Sequence, residues 1–239
     1  MQNLNNTYYE TLDENFEQAL KFYETNYTHE QLIEMLNAGN IVQKQIAALR
    51  LDTVTSKTDA RILTENLTGQ DGKIREAVSL RLKEFMADSA LINYFKNSDC
   101  YKKFLDAIID INGNICRNII SAVSNLKNDE NFCSIFCPKL LNLTSELTDI
   151  VSKFDFSDGK YKVNKEAFKL YWCLETIYVF FDSFSIEELK PILMKTKNIG
   201  EYTIREKTAK ILTNYFEDKD LSKIKEELKN DSNYYVRRF

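Results

Sequence analysis

The sequence predicts an all-α chain folded as a right-handed α-solenoid of about six stacked antiparallel helix hairpins. Three observations lead there. Only 6 Gly and 2 Pro occur in 239 residues, too few for the tight turns of a many-stranded protein. Apolar residues recur at three- and four-residue spacing, as in Ile74, Val78, Leu82 and Phe85, the period of a helix with one buried face. One phrase also returns at the start of successive helices. It reads Ile74-Arg75-Glu76-Ala77-Val78, Ile204-Arg205-Glu206-Lys207-Thr208-Ala209 and Val236-Arg237-Arg238-Phe239, with looser copies at Val42-Gln43-Lys44-Gln45-Ile46-Ala47 and Ile115-Cys116-Arg117-Asn118-Ile119. The β-branched openers stand at 42, 74, 115, 204 and 236, so the intervals are 32, 41, 89 and 32, and 89 is close to two units of the middle length. Self-similarity of this size is what stacked helical repeats leave in a sequence.

Taken in order, helices are expected at 8–26, 29–37, 41–51, 58–67, 73–86, 89–96, 100–109, 114–126, 138–153, 165–182, 186–197, 203–216 and 220–229, with a last turn from 234. Thr28-His29-Glu30-Gln31, Ser185-Ile186-Glu187-Glu188 and Thr203-Ile204-Arg205-Glu206 fit the capping box, in which a hydroxyl and a carboxylate or amide satisfy orphan backbone donors reciprocally. Ser56 starts a weaker version and Asn164 can cap the helix at 165. Pro138 suits a first turn, where its missing N–H costs nothing. The links are short and polar, as in Asn37-Ala38-Gly39-Asn40 and Asn112-Gly113, so consecutive helices pair antiparallel. One segment departs from the pattern: Phe154-Asp155-Phe156-Ser157-Asp158-Gly159-Lys160-Tyr161-Lys162-Val163 alternates around Asp-Gly, which signals a short β-hairpin or extended loop at 154–163. The expectation is a single repeat domain over 1–239 with an irregular break there.

Composition narrows the function classes. The net charge of −4 argues against a general nucleic-acid binder, which would carry a basic excess. No window approaches 18 uninterrupted apolar residues, so no membrane span is expected. The polar start Met1-Gln2-Asn3-Leu4-Asn5-Asn6-Thr7 leads into an acidic stretch rather than an apolar signal core. Five Cys at 100, 116, 133, 137 and 173 lack the spacing of a secreted scaffold and fit reduced thiols in a cytoplasm.

With these phrases in view, the chain resembles the HEAT/armadillo-like helical repeat proteins. In that family an Asp often lies near the turn between the paired helices, and a Val or Ile followed by Arg or Lys opens the second. Asp71-Gly72-Lys73-Ile74-Arg75 and Asp231-Ser232-Asn233-Tyr234-Tyr235-Val236-Arg237 match, and Glu201-Tyr202-Thr203-Ile204-Arg205 matches with Glu for Asp. The copies at 42 and 115 lack the Asp and the directly following Arg. The resemblance implies shape more than activity. It also implies that the second helices line the concave side, where Arg50, Arg75, Arg81, Arg117, Arg205 and Arg237 would form a row.

A guanidinium is a planar, bidentate donor for carboxylates or phosphates, so one reading of the row is a groove for a protein or peptide of acidic character. The other is an Asp/Glu–Arg ladder tying each repeat to the next, with arginine stems covering apolar surface. A second constellation lies on the helix at 165–182, where Glu175 is a lone charge among Tyr171, Trp172 and Tyr178. An acid beside aromatics can hold a cation, and HEAT-like alkylpurine DNA glycosylases use such a group to stabilise a positively charged base. The plainer reading is an aromatic core whose Glu175 reaches a neighbouring Lys or helix end. Cys133 and Cys137 share a helix face, yet one His and no second pair leave them short of a zinc site, and His29 sits just inside a helix cap. Neither cofactor nor metal is expected. With no nucleophile elbow and no phosphate-binding Gly-rich loop, the leading reading is a non-catalytic protein-interaction or scaffold module binding on its concave face. The alternatives are a HEAT-like DNA-repair glycosylase or a HEAT-like chromophore lyase.

Overall fold

The computed structural model describes residues 20–21, 24–156, 164–214 and 217–239. These hold twelve α-helices: α1 (His29–Ala38), α2 (Ile41–Arg50), α3 (Lys57–Glu65), α4 (Gly72–Ala87), α5 (Ser98–Ala107), α6 (Gly113–Val123), α7 (Glu130–Val151), α8 (Lys165–Val179), α9 (Ile186–Thr196), α10 (Tyr202–Ile211), α11 (Lys219–Lys229) and α12 (Tyr234–Arg237). Each odd helix turns back into the following even one, giving six hairpins. Odd helices then pack on odd and even on even: α1–α3–α5–α7–α9–α11 forms one layer and α2–α4–α6–α8–α10–α12 the other. The result is an all-α solenoid, and no strand occurs among the described residues.

Local chemistry sets the helix starts. Thr28, Asn40 and Ser185 each close a capping box with the residue three positions on, and Asp71, Asn112, Asn164, Asp218 and Asn233 cap with a side-chain oxygen. The α1/α2 turn requires Gly39, because a Cβ there would strike the Met35 carbonyl oxygen. Gly69 adopts φ +70°, a left-handed conformation that suits glycine.

The core runs continuously between the layers from Leu32 to Val236. At its centre Tyr101 meets Phe132 edge-on at 4.8 Å, Phe132 stacks on Phe136 at 4.7 Å, and Phe180 lies 5.5 Å from Phe136. Aromatic pairs at such separations add about 0.5–1.5 kcal/mol each beyond burial.

The structure moves several expected boundaries. The helix expected at 138–153 begins at Glu130, capped by Asp129, and Pro138 lies inside it. The buried stripe Phe132, Phe136, Leu140 continues through the proline, which sits on the exposed side, so packing overrides one missing hydrogen bond. The helix expected at 89–96 is a 3₁₀ segment, Leu91–Phe95. Thr203 is not a cap: Glu201 takes that role, and its carboxylate accepts from the Thr203 N–H and hydroxyl. Most of the helix expected at 8–26 lies outside the described residues, as does 157–163 of the expected hairpin; Phe154–Phe156 is irregular.

Candidate protein-binding face

The even helices present a continuous surface because their buried stripes face the odd layer and leave the opposite side open. Across α2, α4 and α6 that surface forms a groove of about 340 Å³, lined by Gln45, Leu49, Lys73, Glu76, Ala77, Leu80, Asn114 and Asn118. Leu49 and Leu80 are 43% and 40% exposed, so the floor is apolar while amides and one charge of each sign form the sides. Asn114 donates to Glu76 Oε1 at 2.9 Å and accepts from Arg117 at 3.1 Å, and Asn118 donates to Ser79 Oγ at 3.1 Å. These bonds hold the amides in fixed orientations.

All six arginines of the row lie on even helices. Arg75 reaches the Asp110 carboxylate through Nε (2.8 Å) and Nη2 (3.2 Å), while its Nη1 donates to the Gln70 carbonyl. Arg205 repeats this on Asp231, at 2.6 and 3.1 Å, with Nη1 on the Ile199 and Gly200 carbonyls. The Arg205 hydrogen bond holds the Asp231 carboxyl below its ordinary range. Arg237 donates to the Asp231 and Ser232 carbonyls. Arg81 bonds the Ala48 and Leu49 carbonyls and Glu84. Arg50 reaches the Thr25 carbonyl and lies over the Tyr27 ring. Arg117 is exposed, with Asn114 as its hydrogen-bond partner. The row thus does not converge on one point. Arg75, Arg81 and Arg205 reach neighbouring hairpins, whereas Arg117 bonds within its own helix and Arg237 within the turn before its own; Asp110, a partner that the sequence pattern did not reveal, lies 35 residues from Arg75.

On α8, Glu175 stands between two ammonium groups, Lys207 at 2.9 Å and Lys210 at 2.8 Å. Lys207 lies 4.5 Å over the Tyr171 ring and Lys210 4.2 Å over that of Tyr178. Burial pushes the Glu175 carboxyl up, but hydrogen bonds from Lys210 and Lys207 outweigh it and hold the group below its usual value. Burial also depresses Lys207, and Glu175 more than restores it, so its ammonium is held above the usual value. The place where a cationic base would rest against Glu175 is filled by the chain's own cations. Trp172 is buried, edge-on to Tyr171 at 5.0 Å and to Phe168 at 6.1 Å. Its indole N–H finds no partner among the described residues.

Elsewhere, His29 Nε2 lies 3.0 Å from Asp59 Oδ2, which also accepts from the Thr55 N–H and hydroxyl at 2.9 and 2.8 Å. Cys133 and Cys137 neighbour one another on α7, and burial pushes Cys137 up to about 12. Among the described residues no three His, Cys, Asp or Glu side chains come together as a metal site, and no helix is long and apolar enough to cross a membrane.

No family model matches the chain, and no curated protein matches it in sequence. Solved structures match it in fold. A computationally designed armadillo repeat protein for modular peptide recognition aligns with TM-score 0.51 over 87% of this chain and 94% of that one, at 11% identity. An engineered protein aligns with TM-score 0.51 over 89% and 95%, at 15% identity. The fold is an armadillo/HEAT-like helical repeat. In this armadillo-like stack the Arg75–Asp110 and Arg205–Asp231 contacts join neighbouring repeats, and the α2–α4–α6 groove crosses three of them.

Proposed function

We propose that the chain is a non-catalytic protein- or peptide-binding module whose recognition surface is the even-helix face. The observation that carries this is the α2–α4–α6 groove. An apolar floor of Leu49, Ala77 and Leu80 suits the side chains of a bound segment. The Gln45 side chain and Asn118 Oδ1, which have no partner among the described residues, suit its backbone amides. Leu49 and Leu80 lie together in one groove rather than scattered singly, which is how exposed apolar groups support a contact surface. Glu76 is bonded by Asn114, so exposed Lys73, with Arg117 bonded to Asn114 beside the groove, favours a partner with acidic side chains. The even helices would form the concave side of the stack. Five unpaired cysteines fit work in a reducing cytoplasm, and the designed neighbour's peptide recognition is consistent with the same use of the fold.

The test is selection from a random peptide display library on the wild-type protein, with Leu49→Glu and Leu80→Glu as counter-screens. Sequences enriched on the wild type should lose binding to both variants while both keep the wild-type melting temperature. Enrichment that survives both substitutions places recognition elsewhere and removes this reading.

A further inference from the structure

We propose that the odd-helix layer carries a second, separate binding site, for a phosphate group. A cavity of about 340 Å³ opens between α3, α5 and α7. Four cations line it, Arg61, Lys102, Lys103 and Lys139, against two acids, Glu65 and Asp99. That is a local excess of two positive charges in a chain whose net charge is −4, so the site stands out from the average surface field.

The commitments of these groups sharpen the assignment. Arg61 bonds Glu65 at 2.5 Å, which cancels one pair. Lys103 donates to the Thr68 hydroxyl at 2.8 Å and so is held in place without being neutralised. Lys102 and Lys139 are exposed and, like the carboxylate Asp99, have no ion pair among the described residues, so three ammonium groups face one free acid. They come from different helices, and the cavity lies between them, so their ammonium groups can approach one ligand from two sides. Ser98, at the rim, adds a hydroxyl donor with no partner of its own among the described residues.

A ligand that satisfies two free ammonium groups, a third held one and a hydroxyl is compact, multiply charged and rich in acceptors. A phosphate group, with a charge of about −1.5 to −2 at pH 7 and three strong acceptor oxygens, meets that description better than a single carboxylate. Free phosphate and a phosphorylated side chain share this chemistry.

The experiment is titration of the ¹⁵N-labelled protein at low salt, followed through the amide signals of Ser98, Lys102 and Lys139. The probes are inorganic phosphate, a phosphoserine hexapeptide, and the same hexapeptide with serine or glutamate in place of phosphoserine. Saturable shifts with inorganic phosphate alone assign the site to the free ion, and tighter saturation with the phosphopeptide assigns it to a modified partner. Lys102→Ser and Lys139→Ser should each weaken binding about fivefold, the loss of one exposed charge contact, with the melting temperature unchanged because both side chains are exposed. Absence of saturable shifts with either phosphate probe overturns the site. Equal binding of the glutamate peptide overturns the phosphate assignment.

Discussion

Arg75 holds Asp110 edge-on, and the same guanidinium closes the carbonyl-lined turn that precedes its own helix. The arginine is therefore a two-way staple. It completes the α3/α4 turn and fastens that hairpin to the α5/α6 one. Arg205 does the same between α9/α10 and α11/α12 through Asp231. Arg75→Ala and Arg205→Ala should each cost about 2 kcal/mol, since a mostly buried carboxylate loses its charge-assisted partner. Urea denaturation measures this, and the Arg75→Ala/Asp110→Ala double-mutant cycle should return a positive coupling. A cycle with no coupling would mean that the contact is incidental.

Glu175→Gln should destabilise the protein by roughly 2–3 kcal/mol, because Lys207, 8% exposed, is left with its charge unpaired. Removing both charges in Glu175→Gln/Lys207→Met should recover most of that loss. If the single substitution is neutral in chemical denaturation, the pair is not a structural one.

Trp172 offers a cleaner test of packing. Among the described residues its indole N–H has no hydrogen bond to lose, so Trp172→Phe should cost only about 1 kcal/mol while Trp172→Ala costs about 3–5 kcal/mol. A Cβ at Gly113 would lie 3.4 Å from the Trp172 ring, ordinary contact. Gly113→Ala should therefore leave the melting temperature nearly unchanged and Gly113→Leu should lower it.

Acid should act through Asp59. Burial raises its carboxyl, but the Thr55 N–H and hydroxyl and His29 lower it further, to about 2 from 3.8. A depressed carboxyl pKa contributes stability that is complete above the unfolded value and is lost as pH falls through the folded one. The melting temperature should drop between about pH 4 and pH 2 in the wild type. In Asp59→Asn this part of the drop should be smaller, and equal slopes would rule out the linkage.

The fold was largely legible in the sequence because its determinants are local. Thr28, Ser185 and Asn164 announce helix starts within three residues of themselves, and the returning Ile-Arg phrase announces the even helices. What escaped depends on which helices become neighbours. Nothing near Arg75 points to Asp110, and nothing near Glu175 points to Lys207 and Lys210, until α8 and α10 lie side by side. Leu49 and Leu80 read as ordinary members of apolar stripes, and only the stacked structure reveals that they face outward into one groove. Pro138 misled for a similar reason, since its tolerance inside α7 rests on tertiary packing of Phe132 and Phe136.

The staple is not uniform along the stack. At the position that Arg75 and Arg205 occupy four residues past their caps, the third hairpin has Cys116, whose thiol reaches only the Asp110 carbonyl at 3.1 Å, and the fourth has Phe168. At that position the third and fourth hairpins meet through Trp172 lying against Gly113, while charged contacts cross the middle elsewhere, Lys96–Asp129 between the same two hairpins and Glu175 with Lys207 and Lys210 at the next junction. Mechanically, the even layer carries guanidinium staples on either side of one greased contact. In amide exchange, the first turns of α6 and α8 should open at lower free energy than the first turns of α4 and α10, which Arg75 and Arg205 close, so the hairpins on either side of the Gly113–Trp172 contact can adjust their mutual angle without unfolding.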